Sequence, residues 1–271
     1  MSEDGWKRTS KQQVWSKRSE LGKVAGGASC HAGRLVASLR TVVREANFPG
    51  ELAAVLLCGG RSSRMGANKA LLPIEGQPLW VRQWRALREA TGVAPFLSLR
   101  VGTEADVVGI ADPKPKLVID DGSSGPLGGI LAALETAENS PTATTSSTSA
   151  VLAATSTAKS SVVATHLAVL AVDLPFVTPA WWQRLLRACE PARGAVGRQE
   201  DGRGWEPLAA IYPVAMRGAF ADAKARGTLS LQALIAAAIE SGELAELPIG
   251  ADEKLLFRNW NTPEDVKDSS T

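Results

Sequence analysis

Residues 52–72 read "LAAVLLCGGRSSRMGANKALL". A short apolar run that halts at paired glycines is how a strand buried on both faces of a parallel sheet looks in sequence. Behind Gly59 and Gly60 come Gly66, two arginines (Arg61 and Arg64) and Lys69, all within one loop. Glycine lets a backbone turn its N–H groups onto an anion, and the cations neutralise charge, so the stretch suits a polyphosphate. Two phosphate loops can be excluded. The pattern G-x-x-x-x-G-K-[ST] fails because Gly60 and Gly66 stand one residue too far apart, Ala67 follows Gly66, and Ala70 follows Lys69. The dinucleotide pattern G-x-G-x-x-G fails as well.

Outward from this stretch the same rhythm repeats. "PLWVRQWRALREA" (78–90) sets Leu79, Val81, Trp84 and Leu87 on one side of a helix that Pro78 opens. "PFLSLRV" (95–101) and "KLVID" (116–120) read as strands, and "GPLGGILAALETA" (125–137) as an apolar helix. "HLAVLAVD" (166–173) is a strand expected to end on Asp173. "PAWWQRLLRAC" (179–189) is a helix entered through Thr178 and Pro179, with Trp181 and Trp182 expected on its core and surface sides. "GWEPLAAIYP" (204–213) reads as a strand, followed by helices at 215–226 and 231–240. "LAELPI" (244–249) and "KLLFRNW" (254–260) read as strands, and "NTPEDV" (261–266) as a last helical turn. Alternating strand, loop and helix predicts an α/β fold with a doubly wound, Rossmann-like and mostly parallel sheet.

Two segments stand apart. Residues 1–50 hold nine basic and four acidic side chains, +5 of a total of +2, so the remainder is mildly acidic. Without sustained periodicity this head reads as a disordered extension, apart from a short helix at 35–45. A nucleic-acid binder would carry its basic charge on the folded domain instead. Residues 139–165, "NSPTATTSSTSAVLAATSTAKSSVVAT", are nearly all Ser, Thr, Ala and Val and read as a low-complexity surface insertion. The folded domain is expected over 51–271. No apolar run reaches the roughly 18 to 20 residues of a membrane span, and no leader-type apolar segment opens the chain. Cys30, Cys58 and Cys189 are scattered without a C-x-x-C pair, which fits a reducing cytoplasm rather than a disulfide framework or zinc site.

"LCGGRSSRMGANKALLPIEGQPLW" resembles the loop L-x-G-G-x-S-x-R-M-G-x-x-K of nucleotidyltransferases, most of all the molybdenum cofactor guanylyltransferases. "DDGSSGPLGGI", "AVDLPFVTP", "EPLAAIYP" and "NWNTPEDV" are similar to further segments of that family, so the resemblance covers residues 52–266 apart from the insertion. It implies a Mg²⁺-dependent transfer of GMP from GTP to molybdopterin-bound molybdenum, releasing pyrophosphate. A phosphate monoester is already nucleophilic at neutral pH, so such a site works by positioning and charge rather than through a histidine base.

The resemblance assigns the residues as follows. Asp173 holds Mg²⁺ and the nucleotide, with Arg64 and Lys69 on the leaving pyrophosphate and Arg61 at the rim. Leu57, Cys58, Gly59 and Gly60 contact the nucleotide with Lys69. Asp121 is the nucleotide-contacting acid, with Asp120 one position away as the alternative, and Gly125, Pro126, Leu127 and Gly128 line the wall beside base and sugar. Asn259 and Asn261 are assigned to the acceptor; Glu206, a strand-end carboxylate read from its position, is expected to orient the acceptor or a second metal. Two departures stand out: Cys58 replaces an alanine, and "FLSLRVG" carries Ser98 where the family has an asparagine. Implied partners are GTP and the molybdenum cofactor, with transient contact to molybdoenzymes or cofactor-insertion proteins, and neither nucleic acid nor membrane. A molybdopterin cytidylyltransferase, a sugar-phosphate nucleotidyltransferase and a non-catalytic cofactor carrier are the alternatives.

Overall fold

In the computed structural model, which describes residues 48–59, 68–74, 76–104, 114–140, 163–200, 202 and 204–260, the opening apolar run is strand β1 (Leu52–Leu57), buried at every position. Along the chain follow a one-turn 3-10 helix (Lys69–Leu71), a small hairpin of β2 (Pro73–Ile74) and β3 (Gln77–Pro78), α1 (Leu79–Thr91), β4 (Phe96–Arg100), β5 (Leu117–Asp120) and α2 (Gly125–Asn139). Then come β6 (His166–Ala171), α3 (Pro179–Ala188), β7 (Gly194–Gln199), β8 (Trp205–Pro213), α4 (Arg217–Ala225), α5 (Leu231–Glu240) and β9 (Leu244–Ile249). A second 3-10 turn, Lys254–Phe257, follows. The basic head up to residue 47, most of the Ser/Thr-rich insertion and the turn expected at 261–266 lie outside the described residues.

Seven strands form one sheet in the order β5-β4-β1-β6-β8-β7-β9. Every neighbouring pair is parallel except the two that β8 makes. The α/β, mostly parallel expectation therefore holds. β1 lies between β4 and β6, and its side chains alternate between two cores. Leu52, Ala54, Leu56 and Cys58 join the core containing α1 and α3 residues, with Trp80, Trp84, Trp181 and Trp182. Ala53, Val55 and Leu57 join the other, with α2, α4 and α5 residues such as Leu127, Ile130, Phe220 and Ile235. Burial on both faces explains why β1 shows no polar alternation.

Three expectations need correction. "KLLFRNW" is a 3-10 turn, not a strand: the run packs Phe257 edge-on against Trp181 (4.9 Å) and leaves Leu255 70 % exposed. Trp181 and Trp182 do not divide into core and surface; both are buried, because α3 touches α1 as well as β7, β8 and β9. β6 ends at Ala171, two residues before Asp173, although Val172 N–H still bonds the Leu57 carbonyl (3.0 Å). β7 and the β2–β3 hairpin were not anticipated at all.

At the end of the sheet where β1 and β6 begin, His166 is fully buried. Its Nε2 lies 3.0 Å from the Glu190 carbonyl, its Nδ1 2.9 Å from Thr165 Oγ1, and Phe48 stands edge-on at 5.0 Å. Burial lowers its pKa, against the pull of the Arg193 and Glu190 carbonyls. A histidine kept neutral by the fold contributes fully above its unfolded pKa of about 6.5 and loses that contribution as pH falls below it. Wild-type stability should therefore drop between pH 7 and 5 more steeply than that of His166→Gln, as measured by urea unfolding at each pH.

Candidate active site

Ligands of open α/β sheets bind beyond the carboxyl ends of the strands. At that end of β1, Cys58 N–H bonds the Ser98 carbonyl (2.9 Å) and the Leu57 carbonyl accepts from Val172. The first backbone groups past the ladder are thus the Cys58 carbonyl and the Gly59 amide. Cys58 is buried, and burial pushes its thiol far above the ordinary range, so it packs as a small apolar residue rather than acting as a nucleophile. Gly60, Arg61, Arg64 and Gly66 lie outside the described residues.

The loop re-enters at Asn68, whose side-chain oxygen accepts from Ala70 N–H (3.1 Å) and caps the short turn beginning at Lys69. Lys69 Nζ comes 3.9 Å from Asp173 Oδ2, both side chains only partly exposed. The sequence thus brings together two residues a hundred positions apart. Burial raises the Asp173 pKa, with Lys69 pulling it back. Asp173 sits in a turn fixed from two sides. Gln83, buried on α1, donates to the Leu174 carbonyl (2.9 Å), and Trp260 N–H donates to the Asp173 carbonyl (3.0 Å). The second bond sets the exposed Asn259 beside this turn; Asn261 lies outside the described residues. Among the described residues no group of three or more His, Cys, Asp or Glu could cage a metal. One carboxylate facing a cation suits a Mg²⁺ that takes its other ligands from phosphate and water.

Two strands away, β4 and β5 end at Arg100 and Asp120, which are register partners. The adjacent acids divide sharply. Asp120 is half-buried, its Oδ1 accepting from Gly122 N–H (2.6 Å), and desolvation raises its pKa while Gly122 and the buried Ser98 hydroxyl pull it down. Asp121 is exposed and accepts from Ser123 N–H (2.8 Å), Ser123 Oγ (2.7 Å) and Lys224 Nζ (3.2 Å). Those bonds, the Ser123 hydroxyl first, hold its pKa at about 2.

α2 begins at Gly125, whose φ of +56° only glycine adopts comfortably, with Pro126 next and Leu127 buried. Gly128 and Gly129 allow the helix to sit close: a Cβ on Gly129 would lie 2.9 Å from Ser98 Oγ and 3.2 Å from Leu57 Cδ2. Glu206 stands near the start of β8, which runs antiparallel to β6, so it belongs to the same end of the sheet as Asp173; Gln199 Nε2 donates to it. Gln83 was missed. For Gln83 the signal was present, since it falls with Leu79 and Leu87 on one stripe at four-residue spacing, where a polar residue needs a partner.

A parallel-centred sheet with a cation and a carboxylate facing each other past its middle strands is the arrangement of a nucleotide-handling transferase. The chain belongs to the MobA-like NTP transferase domain family, whose profile matches residues 54–242. It is 35% identical over 214 residues to a protein of Opitutus terrae named "Probable molybdenum cofactor guanylyltransferase", covering 79% of this chain and 92% of that one. It is 31% identical over 219 residues to the "Molybdenum cofactor guanylyltransferase" of Xanthomonas euvesicatoria, covering 78% and 89%. Among solved structures, molybdopterin-guanine dinucleotide biosynthesis protein A of Archaeoglobus fulgidus shares the fold, with a TM-score of 0.56 at 21% identity, covering 80% of this chain and 96% of that one. The chain is accordingly a nucleotidyltransferase. No helix among the described residues is long and apolar enough to cross a membrane.

Gln83→Leu keeps the side chain's bulk and removes the donor, leaving the Leu174 carbonyl unsatisfied at a cost of about 1–3 kcal/mol. Because Leu174 adjoins Asp173, turnover should fall about tenfold to a hundredfold through misplacement of the carboxylate. Steady-state kinetics beside a melting curve would check both, and unchanged kcat would show that Trp260 alone fixes the turn.

Proposed function

We propose that this protein transfers GMP from GTP to molybdopterin-bound molybdenum cofactor, releasing pyrophosphate, in the cytoplasm. The observation that carries the reading is the Lys69–Asp173 pair at the carboxyl ends of β1 and β6. The names of its relatives supply the nucleotide and the acceptor. Asp173 would hold Mg²⁺, which when bound neutralises triphosphate charge and polarises the reacting phosphoryl group. Lys69, held at the edge of the same turn, neutralises the departing pyrophosphate, and Arg64 joins it on sequence grounds. The Gly59 amide and the N-terminal turn of α2, from Gly125 to Gly128, flank the nucleotide, with Leu57 and Cys58 as the wall behind them.

Of the two adjacent acids, Asp120 suits nucleotide contact better, since Asp121 is engaged with Ser123 and Lys224. The acceptor lies on the β8 side, where Glu206 and Asn259, with Asn261 beyond, offer polar groups to a heterocycle. No protein base is needed, because the acceptor phosphate is itself the nucleophile; the chain's work is to align it with the α-phosphorus. Transient contact with molybdoenzymes or insertion proteins would follow from the product's fate.

The test is pyrophosphate release from GTP, CTP, ATP and UTP with Mg²⁺ and molybdenum-loaded molybdopterin. GTP-selective turnover is expected. Selectivity for CTP would transfer the assignment to cytidylyl transfer, and turnover only with a sugar phosphate would replace the acceptor. Absence of turnover with every combination would leave the carrier reading.

A further inference from the structure

Arg100 ends β4 one strand in from the sheet edge. Its backbone is fixed, because both the amide and the hydroxyl of Thr103 bond its carbonyl (3.1 and 2.7 Å). Its side chain packs close to the Gly122 backbone. The stem lies across Gly122, where a Cβ would come 2.8 Å from Cγ and from Cδ and closer still to Nε. With φ at +67°, Gly122 serves both the turn and that close approach. Among the described residues the guanidinium makes no hydrogen bond or ion pair, and the cation acting on Asp120 is Lys224 rather than Arg100. A forked donor set thus stands at the strand end without a partner among the described residues, and the residue's register partner is Asp120, whose Oδ2 faces Gly59.

Neighbouring strands lie about 4.8 Å apart, the scale of one purine edge. Guanine presents along that edge two donors, the exocyclic amine and N1–H, followed by two acceptors, O6 and N7. We infer that Arg100 and Asp120 read this edge together, Asp120 accepting from the amine and N1–H, and Arg100 donating in a bidentate pair to O6 and N7. The inference rests on the guanylyl reading and supplies its specificity. Adenine would set its N6 donor against the arginine's donors and its N1 acceptor against the carboxylate. A pyrimidine would be too short to span both strands. Ser98 does not read the base in this scheme, because its buried hydroxyl faces the Asp120 carboxylate and helps to position it.

The test uses full-length protein with Mg²⁺ and calorimetric binding of GTP, 7-deaza-GTP (which lacks N7) and ITP (which lacks the exocyclic amine). Wild type should bind 7-deaza-GTP about tenfold more weakly than GTP, within the range of an arginine–guanine pair. Arg100→Met, which keeps the stem over Gly122, should bind both alike. ITP should suffer a similar loss with wild type and none with Asp120→Ala. Each comparison is a ratio within one variant, so a general loss of stability cancels. If Arg100→Met keeps the wild-type preference for GTP over 7-deaza-GTP, the paired reading is overturned while guanylyl transfer stands. If wild type binds no guanine nucleotide, both fall.

Discussion

Asp173→Asn should lower pyrophosphate release about a thousandfold, as expected when a site loses a charge aimed at its reacting phosphates, yet the variant should melt no lower than wild type at pH 7.5. Burial raises the Asp173 pKa more than Lys69 lowers it. A carboxyl whose folded pKa exceeds its unfolded value binds its proton more tightly in the native state, so its ionisation costs stability at neutral pH. That cost disappears as pH falls through the folded value toward the unfolded one, about 3.9. Any gain from asparagine should therefore be full at pH 7.5 and shrink as melts are repeated down to pH 4. A lower melting temperature for Asp173→Asn at pH 7.5 would mean that the ion pair outweighs burial. Asp173 would then be a stabilising group rather than a strained one.

The largest expected loss of stability is at Trp181. Its ring is buried, its Nε1 donates to the Ala209 carbonyl (3.1 Å), Phe257 packs edge-on, and the Arg184 guanidinium lies 5.2 Å from the ring centroid. A Cβ on Gly197 would come within 2.8 Å of the ring, so β7 and α3 are in direct contact there. Trp181→Ala should cost about 3–5 kcal/mol, the range for emptying a buried aromatic site. Trp181→Phe should recover most of the packing and still lack the donor to Ala209. Urea unfolding of the pair separates cavity from hydrogen bond. A cost below about 1 kcal/mol for the alanine variant would show that the α3 face of the sheet is loosely packed.

These two sites also show what could be read from sequence. β1 was legible because a strand buried on both faces is simply an apolar run, and the glycines that end it mark the functional edge of the sheet. β7, "GAVGRQ", was not: two glycines in six residues weaken any strand signal, and the reason for Gly197 is a tryptophan ring supplied from α3. "KLLFRNW" failed for the opposite reason, since a short apolar run carries no period to separate strand from turn. Within the proposed site, Lys69 and Asp173 are expected from loop chemistry and a strand end, and the fold brings them together. Asp120 and Asp121 could not be told apart by adjacency in a motif. Their different partners, Gly122 and Ser98 for one, Ser123 and Lys224 for the other, appear only in three dimensions. Arg64 and Asn261 lie outside the described residues.

The hydrogen bond from Trp260 to the Asp173 carbonyl has a consequence for the order of synthesis. A ribosome adds Asp173 well before it adds the residue that completes the turn around it. Gln83 is already made by then and can hold Leu174 early, but the second restraint arrives only with position 260. The turn that carries Asp173 is therefore among the last features to be fixed as the nascent chain emerges. A growing chain can build its central strands and first helices before this turn is closed.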